Sequence, residues 1–506
     1  MSSPVQISFS SFIKLQRKQG EALYMQIVYQ FIHAVKSKIL QSGDQLPGSR
    51  RIAEALHLHR KTVLAALHEL EAQGWIESQP NVGTFVRDPE SHLSGEKTIQ
   101  PPIKAAFTFH REMILDIPAT HYGESLYFSD GTADYRLIDV KELLRFYAAV
   151  LKRSNRGINP ADPAYGSAFF KEQLSFYLNI SRGFHLSRDY ILPISSREQL
   201  FSILTRLLIR KGDTVLVEAL SYYLPNMIFS PSGAQLKTIP IDSQGIQVDY
   251  IQKHFSPGEI RFLYMNSRCQ YPSTRPLSEA RKQALLELAE AYDFIILEDD
   301  IDFESAAPKA GTSSLFKKDG GKRVIYIGAL GSFLHPSFQM HFLIAPKDLL
   351  EEAKKQLNIF GKANFMLEKA LGEMIQQGDF LRYQRKARKS IEERKQWFAQ
   401  RLRHYFKDAI DIQIPPSGLA FWILFNTKIS LIRLQQICRE YDLFIPNICL
   451  YQNRDIQALR LGFAHLNPVE IEAAIARLHQ AFQKLIPVIP VTTDKRLPKT
   501  TSLPEE

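Results

Sequence analysis

The chain has 506 residues, of which 45% are hydrophobic, 11% aromatic and 23% charged. At roughly 150 residues per domain, that length excludes a single compact domain, and the composition excludes a disordered, collagen-like or coiled-coil protein. The net charge of +10 is a mild excess, but residues 1–87 hold 10 Lys and Arg against 6 Asp and Glu, so a nucleic-acid partner is to be sought first at that end.

Tyr24, Ile27, Val28, Phe31, Ile32, Val35 and Ile39 keep the spacing of one helix face, which predicts a first helix ending before Leu40-Gln41-Ser42-Gly43-Asp44. Pro47-Gly48-Ser49 predicts a second helix start, with Ser49 as N-cap and Ile52, Ala53 and Leu56 turned inward. A third helix is predicted from Arg60, apolar at Val63, Ala66, Leu67 and Leu70 and stopped by Gly74. Trp75 to Ser78 and Thr84 to Val86 read as two strands around Pro80-Asn81-Val82-Gly83. Helices followed by a hairpin make a winged helix-turn-helix. In such a reader the third helix points its N-terminal end, here Arg60, Lys61 and Thr62, into the major groove. Arg50 and Arg51 at the preceding helix start hold phosphates, and Gly83 lets the wing approach the backbone.

Residues 88–119 mix Pro, Ser, Gly and charge, as an exposed linker does. Beyond it, Thr214 to Val217, Phe262 to Tyr264, Phe294 to Leu297, Val324 to Ile327 and Phe342 to Ile344 are continuous apolar runs separated by helical patterns such as Ser278 to Ala291. That rhythm predicts an α/β fold with a mostly parallel sheet, whose ligands sit at the carboxyl ends of the strands. Residues 120–375 are expected to form a large domain, 376–485 a small C-terminal one and 486–506 a disordered tail. No apolar run reaches the ~18 residues of a membrane helix, and Met1-Ser2-Ser3-Pro4 lacks a signal-peptide layout. Cys269, Cys438 and Cys449 are too few for a disulfide framework or a zinc site. A cytoplasmic chain with reduced thiols and no membrane or metal partner is expected.

Leu23-Tyr24-x-Gln26-Ile27, Gly43-Asp44-x-Leu46-Pro47-Gly48-Ser49-Arg50-x-Ile52-Ala53, Arg60-Lys61-Thr62-Val63 and Gly83-Thr84-Phe85-Val86 resemble the GntR-type DNA-binding domain. The resemblance implies that Arg50, Arg60, Thr62 and Gly83 contact double-stranded operator DNA. His59 departs from the usual Ser before the recognition-helix arginine, altering either base preference or the helix cap.

The remainder resembles a class I aminotransferase of fold type I, and the combination resembles the MocR subgroup of GntR regulators. The likeness is carried by Tyr165-Gly166, Gly212-Asp213-x-Val215-x-Val217-Glu218, Tyr222, Gln270-Tyr271-Pro272-Ser273, Leu297-Glu298-Asp299-Asp300-x-Asp302-x-Glu304, Tyr326-Ile327-Gly328, Leu334-x-Pro336 and Arg460-Leu461-Gly462-Phe463-Ala464. It implies pyridoxal 5'-phosphate as family cofactor, Asp299 on its pyridine nitrogen, Tyr222 stacked on its ring and Arg460 on a substrate carboxylate. It also implies a homodimer.

The cofactor requires a lysine for its imine and cationic or amide donors for its phosphate. Ser332 stands at the lysine position, Gln339 replaces a phosphate-binding arginine and Gly331 a hydroxyl. Ile301 replaces a tyrosine and Ser196-Arg197-Glu198 the phosphate loop, while Lys322 precedes its strand and belongs at the opposite end. Charge-assisted bonds contribute about 1.5–3 kcal/mol each, so these losses should weaken cofactor binding by several kcal/mol. Covalent cofactor binding and transamination are therefore not expected, and Tyr222, Asp299 and Ser332 are read as a vestigial site. The leading expectation is a regulator whose aminotransferase-like part serves dimerisation and senses a small amino acid or carboxylate. The alternative is a pyridoxal-phosphate aminotransferase with a fused DNA-binding domain. The helix from Arg382 to Lys389 is expected to be a solvated basic face.

Overall fold

In the computed structural model, which describes residues 9–15, 22–80, 82–88, 103–109, 126–154, 166–305, 313–361, 364–454 and 456–485, the chain separates into the units Met1–His110 and Arg111–Glu506. The 486–506 tail, Tyr165, Asn81 and most of the 88–119 linker lie outside those residues.

The first unit packs helices Leu23–Lys36, Ser49–Ala55 and Arg60–Ala72 against a hairpin of Ile76–Gln79 and Gly83–Val86. Val28, Phe31, Ile52, Val63, Ala66, Leu70 and Val86 meet in one core. Two local expectations fail. Ile39 lies beyond the first helix and is 57% exposed, because Lys38 at φ +60° turns the chain and Leu40 enters the core instead. Gly48 is the N-cap of the second helix, with extended backbone and no side-chain bond, and Ser49 is the first helical residue. Two elements carry too few residues for any periodicity to announce them. Strand Gln45–Leu46 pairs with Gly83–Val86, and the turn of helix Phe9–Phe12 adds Phe9 and Ile13 to the core.

In the second unit a seven-stranded sheet runs in the order Ile191–Ile194, Met340–Ile344, Val324–Leu330, Ile295–Asp299, Ile260–Met265, Thr214–Glu218, Gln235–Ile239. Only Met340–Ile344 runs antiparallel to its neighbours. Successive residues point to opposite faces, so Leu216, Leu263, Ile296 and Tyr326 enter one helix-covered core while Val217, Tyr264, Leu297 and Ile327 enter another. Burial on both faces is why the runs are continuous in sequence. The two outer strands at opposite ends were not legible: Pro193 interrupts one, and Gln235-Leu236-Lys237 makes the other polar.

A four-stranded antiparallel sheet of Ile410–Ile412, Ala420–Phe425, Gln457–Gly462 and Leu450–Gln452 carries a further core. Helix Asp379–Phe406 joins the two regions, giving Phe380 and Tyr383 to the first and Phe398 and Leu402 to the second. Leu126, Phe128 and Ala133, expected with the large domain, pack in this last core instead. Backbone bonds explain it: Phe128 donates to Phe444 and Gly462 donates to Ser129. Arg382, Arg385, Lys386 and Lys389 are exposed, as expected of a solvated face, whereas Arg388 is half-buried and donates to Glu304 O at 2.8 Å. Among the described residues no helix is long and apolar enough to cross a membrane, no metal-ligand cluster occurs, and the three cysteines are free and buried.

Candidate functional site

On the first unit, Arg50 and Arg51 occupy the opening turn of one helix and Arg60, Lys61 and Thr62 that of the next. Arg50, Arg51, Arg60 and Lys61 are exposed and Thr62 is half-buried. Arg60 Nε donates to Ser49 Oγ at 3.2 Å, which ties the two helix starts together. Neither helix has an acid in its first turn, so the amide ends and the cations add to one positive face. His59 is the N-cap of the third helix, its Nδ1 accepting from Lys61 N at 3.2 Å. Gly83 closes the hairpin at φ +145°, a conformation only glycine adopts readily, with Gln45 packed where a Cβ would stand.

In the second unit a cavity of about 290 Å³ opens at the carboxyl ends of the parallel strands, lined by Asp130, Arg197, Glu218, Tyr222, Tyr264, Tyr271, Ile301, Asp302 and Arg460 among others. Asp299 ends strand Ile295–Asp299 and is fully buried. The alternation of the strand sorts the acidic cluster of the sequence. Asp299 turns toward Tyr264 and Arg197. Glu298 turns the other way to accept from the backbone of Leu315 and Phe316 at 2.8 Å each, and Asp300 pairs with Arg268 at 2.9 Å.

Asp299 already has its partners within the chain. Arg197 Nη2 lies 2.5 Å from Asp299 Oδ2, and Tyr264 OH donates to the same oxygen at 2.6 Å. The Arg197 guanidinium carbon sits 4.3 Å from the centre of the Tyr222 ring. Burial opposes the charge on Arg197, and the carboxylate of Asp299 more than restores it. Arg460 is likewise buried, with Nε 2.8 Å from Asp130 Oδ1, Nη1 donating to Pro272 O at 3.0 Å and the Tyr271 ring 4.6 Å away. Only its Nη2 has no partner among the described residues.

Ser332 is not on the cavity wall. Its amide and hydroxyl both donate to buried Glu304 Oε2, at 2.7 and 2.9 Å. Gln339 donates back to Leu334 O, and Ser196 caps helix Arg197–Leu208 by accepting from Gln199 N at 3.1 Å, with Glu198 in the first turn. Lys322 is exposed and precedes strand Val324–Leu330, at the end away from the cavity. Two other acids face the cavity without an ion pair among the described residues. Burial pushes Glu218 up to about 8 and raises Asp302.

This set does not fit pyridoxal phosphate. Among the described residues no lysine lines the cavity, the helix start that would meet a phosphate is capped and carries an acid, and the space between Tyr222 and Asp299 holds a guanidinium. Asp130, Tyr264 and Tyr271 escaped the sequence reading as site residues, because their roles rest on partners 35 to 330 positions away. Arg197 was visible only as part of the Ser196-Arg197-Glu198 run that replaces the phosphate loop.

Two family models match the chain: bacterial regulatory proteins, gntR family, over residues 23–86, and aminotransferase class I and II over residues 130–478. The uncharacterized HTH-type transcriptional regulator YdfD of Bacillus subtilis (strain 168) is 24% identical over 472 residues, covering 90% of this chain and 96% of the relative. The probable rhizopine catabolism regulatory protein MocR of Rhizobium meliloti is 22% identical over 476 residues, covering 93% and 96%. Among solved structures, LysN, an α-aminoadipate aminotransferase from Thermus thermophilus, superposes with a TM-score of 0.63 at 20% identity, over 71% of this chain and 92% of that one.

Proposed function

The chain belongs to the aminotransferase class I and II family with a gntR-type domain ahead of it, the MocR-type architecture, and from that premise we propose a transcription regulator that binds operator DNA and has given up transamination. The observation that carries this reading is the exposed, acid-free cationic start of two adjacent helices in the winged domain. Arg60, Lys61 and Thr62 meet base edges, Arg50 and Arg51 hold phosphates, and Gly83 brings the wing onto the backbone. Transamination needs a lysine amine, and Ser332, bonded to Glu304, offers none.

Two copies pair through the aminotransferase-like unit and present two winged domains to two half-sites. The cavity then serves an effector rather than a reaction. Arg460 Nη2 offers one donor edge, while Glu218 and Asp302 stand unpaired, so a small amino acid suits it best, its carboxylate on the arginine and its ammonium toward the acids.

Footprinting upstream of the protein's own gene, with and without candidate amino acids, tests the assignment. A protected pair of half-sites and an amino-acid-dependent shift in melting temperature are expected. Light scattering should give about twice 58.0 kDa. A phosphopyridoxyl group on any lysine after borohydride reduction would reopen the enzyme alternative.

A further inference from the structure

Arg197, Tyr222, Asp299 and Tyr264 make a set whose geometry has a specific meaning in this fold. A pyridoxal ring held here would stack on Tyr222 and direct one N–H at Asp299. The Arg197 guanidinium stacks on Tyr222 at 4.3 Å and directs one N–H at Asp299 Oδ2 from 2.5 Å. Both groups are flat, delocalised cations of similar width that favour an aromatic face on one side and a carboxylate at the edge. The contact is single-pronged, as a pyridinium's is: Arg197 Nε and Asp299 Oδ1 have no hydrogen-bond partner among the described residues. His341, close by, is kept neutral down to about 4 by burial and by the arginine, so no second cation competes for the carboxylate.

We infer that Arg197 is the chain's own replacement for the ring of the cofactor, a tethered cation that keeps Asp299 and Tyr222 in place with no cofactor present. This deepens the proposed loss of transamination. It also unites departures that look separate in sequence, because a residue within the altered phosphate loop is the one that fills the ring's place. Once that place is taken, a lysine at 332, a tyrosine at 301 and an arginine at 339 have nothing to hold. The functional consequence is a regulator whose fold and DNA affinity do not depend on supply of the cofactor.

The test compares the full-length wild type, Arg197→Ala, Asp299→Asn and the double variant by thermal melting. Arg197→Ala strands a buried carboxylate and should melt lower by roughly 5–10 °C. Adding Asp299→Asn removes that charge and should recover most of the loss, so the two effects are strongly non-additive. Millimolar methylguanidinium, or pyridoxine, which has the ring but no aldehyde, should raise the melting temperature of Arg197→Ala and leave wild type and the double variant unmoved. If Arg197→Ala does not fold, Arg197→Lys and the double variant complete the comparison, the lysine being expected to hold the charge without the stacking and to melt between wild type and double variant. Additive effects, or no rescue by either probe, would overturn the assignment of Arg197. Pyridoxal phosphate added to the wild type should change neither its absorbance nor its operator affinity. Stoichiometric uptake would overturn the inference and the loss of transamination together, whereas additivity without uptake would overturn the role of Arg197 alone.

Discussion

Arg50, Arg51 and Lys61 stand in water with no side-chain partner among the described residues, whereas Arg197 is half-buried and Arg460 buried, each against an aspartate. All are cations, and the outcome is opposite. An exposed cation keeps its hydration and loses little by exchanging counterions for phosphates, so its charge remains available to an external partner. A buried cation cannot stay charged without a counter-charge from the chain itself, and once Asp299 or Asp130 provides it, most of the charge is matched within the chain and only a donor such as Arg460 Nη2, unpartnered among the described residues, is left for a ligand. The winged unit has therefore kept its charges outward, and the cavity of the aminotransferase-like unit has turned Arg197 and Arg460 inward.

The comparison can be broken most forcefully at Arg460. Arg460→Ala should destabilise the second unit by about 3–5 kcal/mol, because Asp130 is left desolvated and unpaired. Denaturant unfolding that matches wild type would mean that Arg460 is not structurally committed. A few kcal/mol are at stake at Glu218. Its folded pKa of about 8 lies above the unfolded value of 4.5, so the folded state binds the extra proton, and the stability present below about 4.5 is lost as pH rises toward 8. Glu218→Gln should flatten that decline in melts between pH 5 and 8.

On the exposed side the effects are on binding rather than on folding. Arg60→Ala should lower operator affinity by about 1–3 kcal/mol and relax base preference with little change in melting temperature. Arg50→Ala should weaken binding on all sequences alike and reduce the slope of log affinity against log salt by about one unit. Last, His59→Ala removes the cap on Lys61 N and should cost about 1 kcal/mol in stability while leaving base preference intact. A changed preference would make His59 a reader and not a cap.

Much of the fold could be read because its signals are local. Val28 and Phe31, or Val215 to Val217, announce their elements through spacing and run length alone, and buried parallel strands leave no polar interruption to confuse them. Elements set by partners were hidden. Gln45–Leu46 is a strand only because Thr84 and Phe85 lie beside it, and Ile39 follows a helical spacing that the turn at Lys38 ends. In the site, Tyr222 and Arg460 were identified by motif and do line one cavity, while Ser332, identified in the same way, is turned aside by Glu304.

The sequence by itself determined the order of parts: a basic winged helix first and an α/β aminotransferase fold after it. Those facts depend on residue type and spacing, which the chain carries in one dimension. Only the tertiary structure decided which charges are spent. Arg197 meets Asp299 across 102 positions and Arg460 meets Asp130 across 330, and no local pattern specifies such pairs. They form because the sheet brings its carboxyl ends together in a place that water leaves, where every cation must find its anion within the chain.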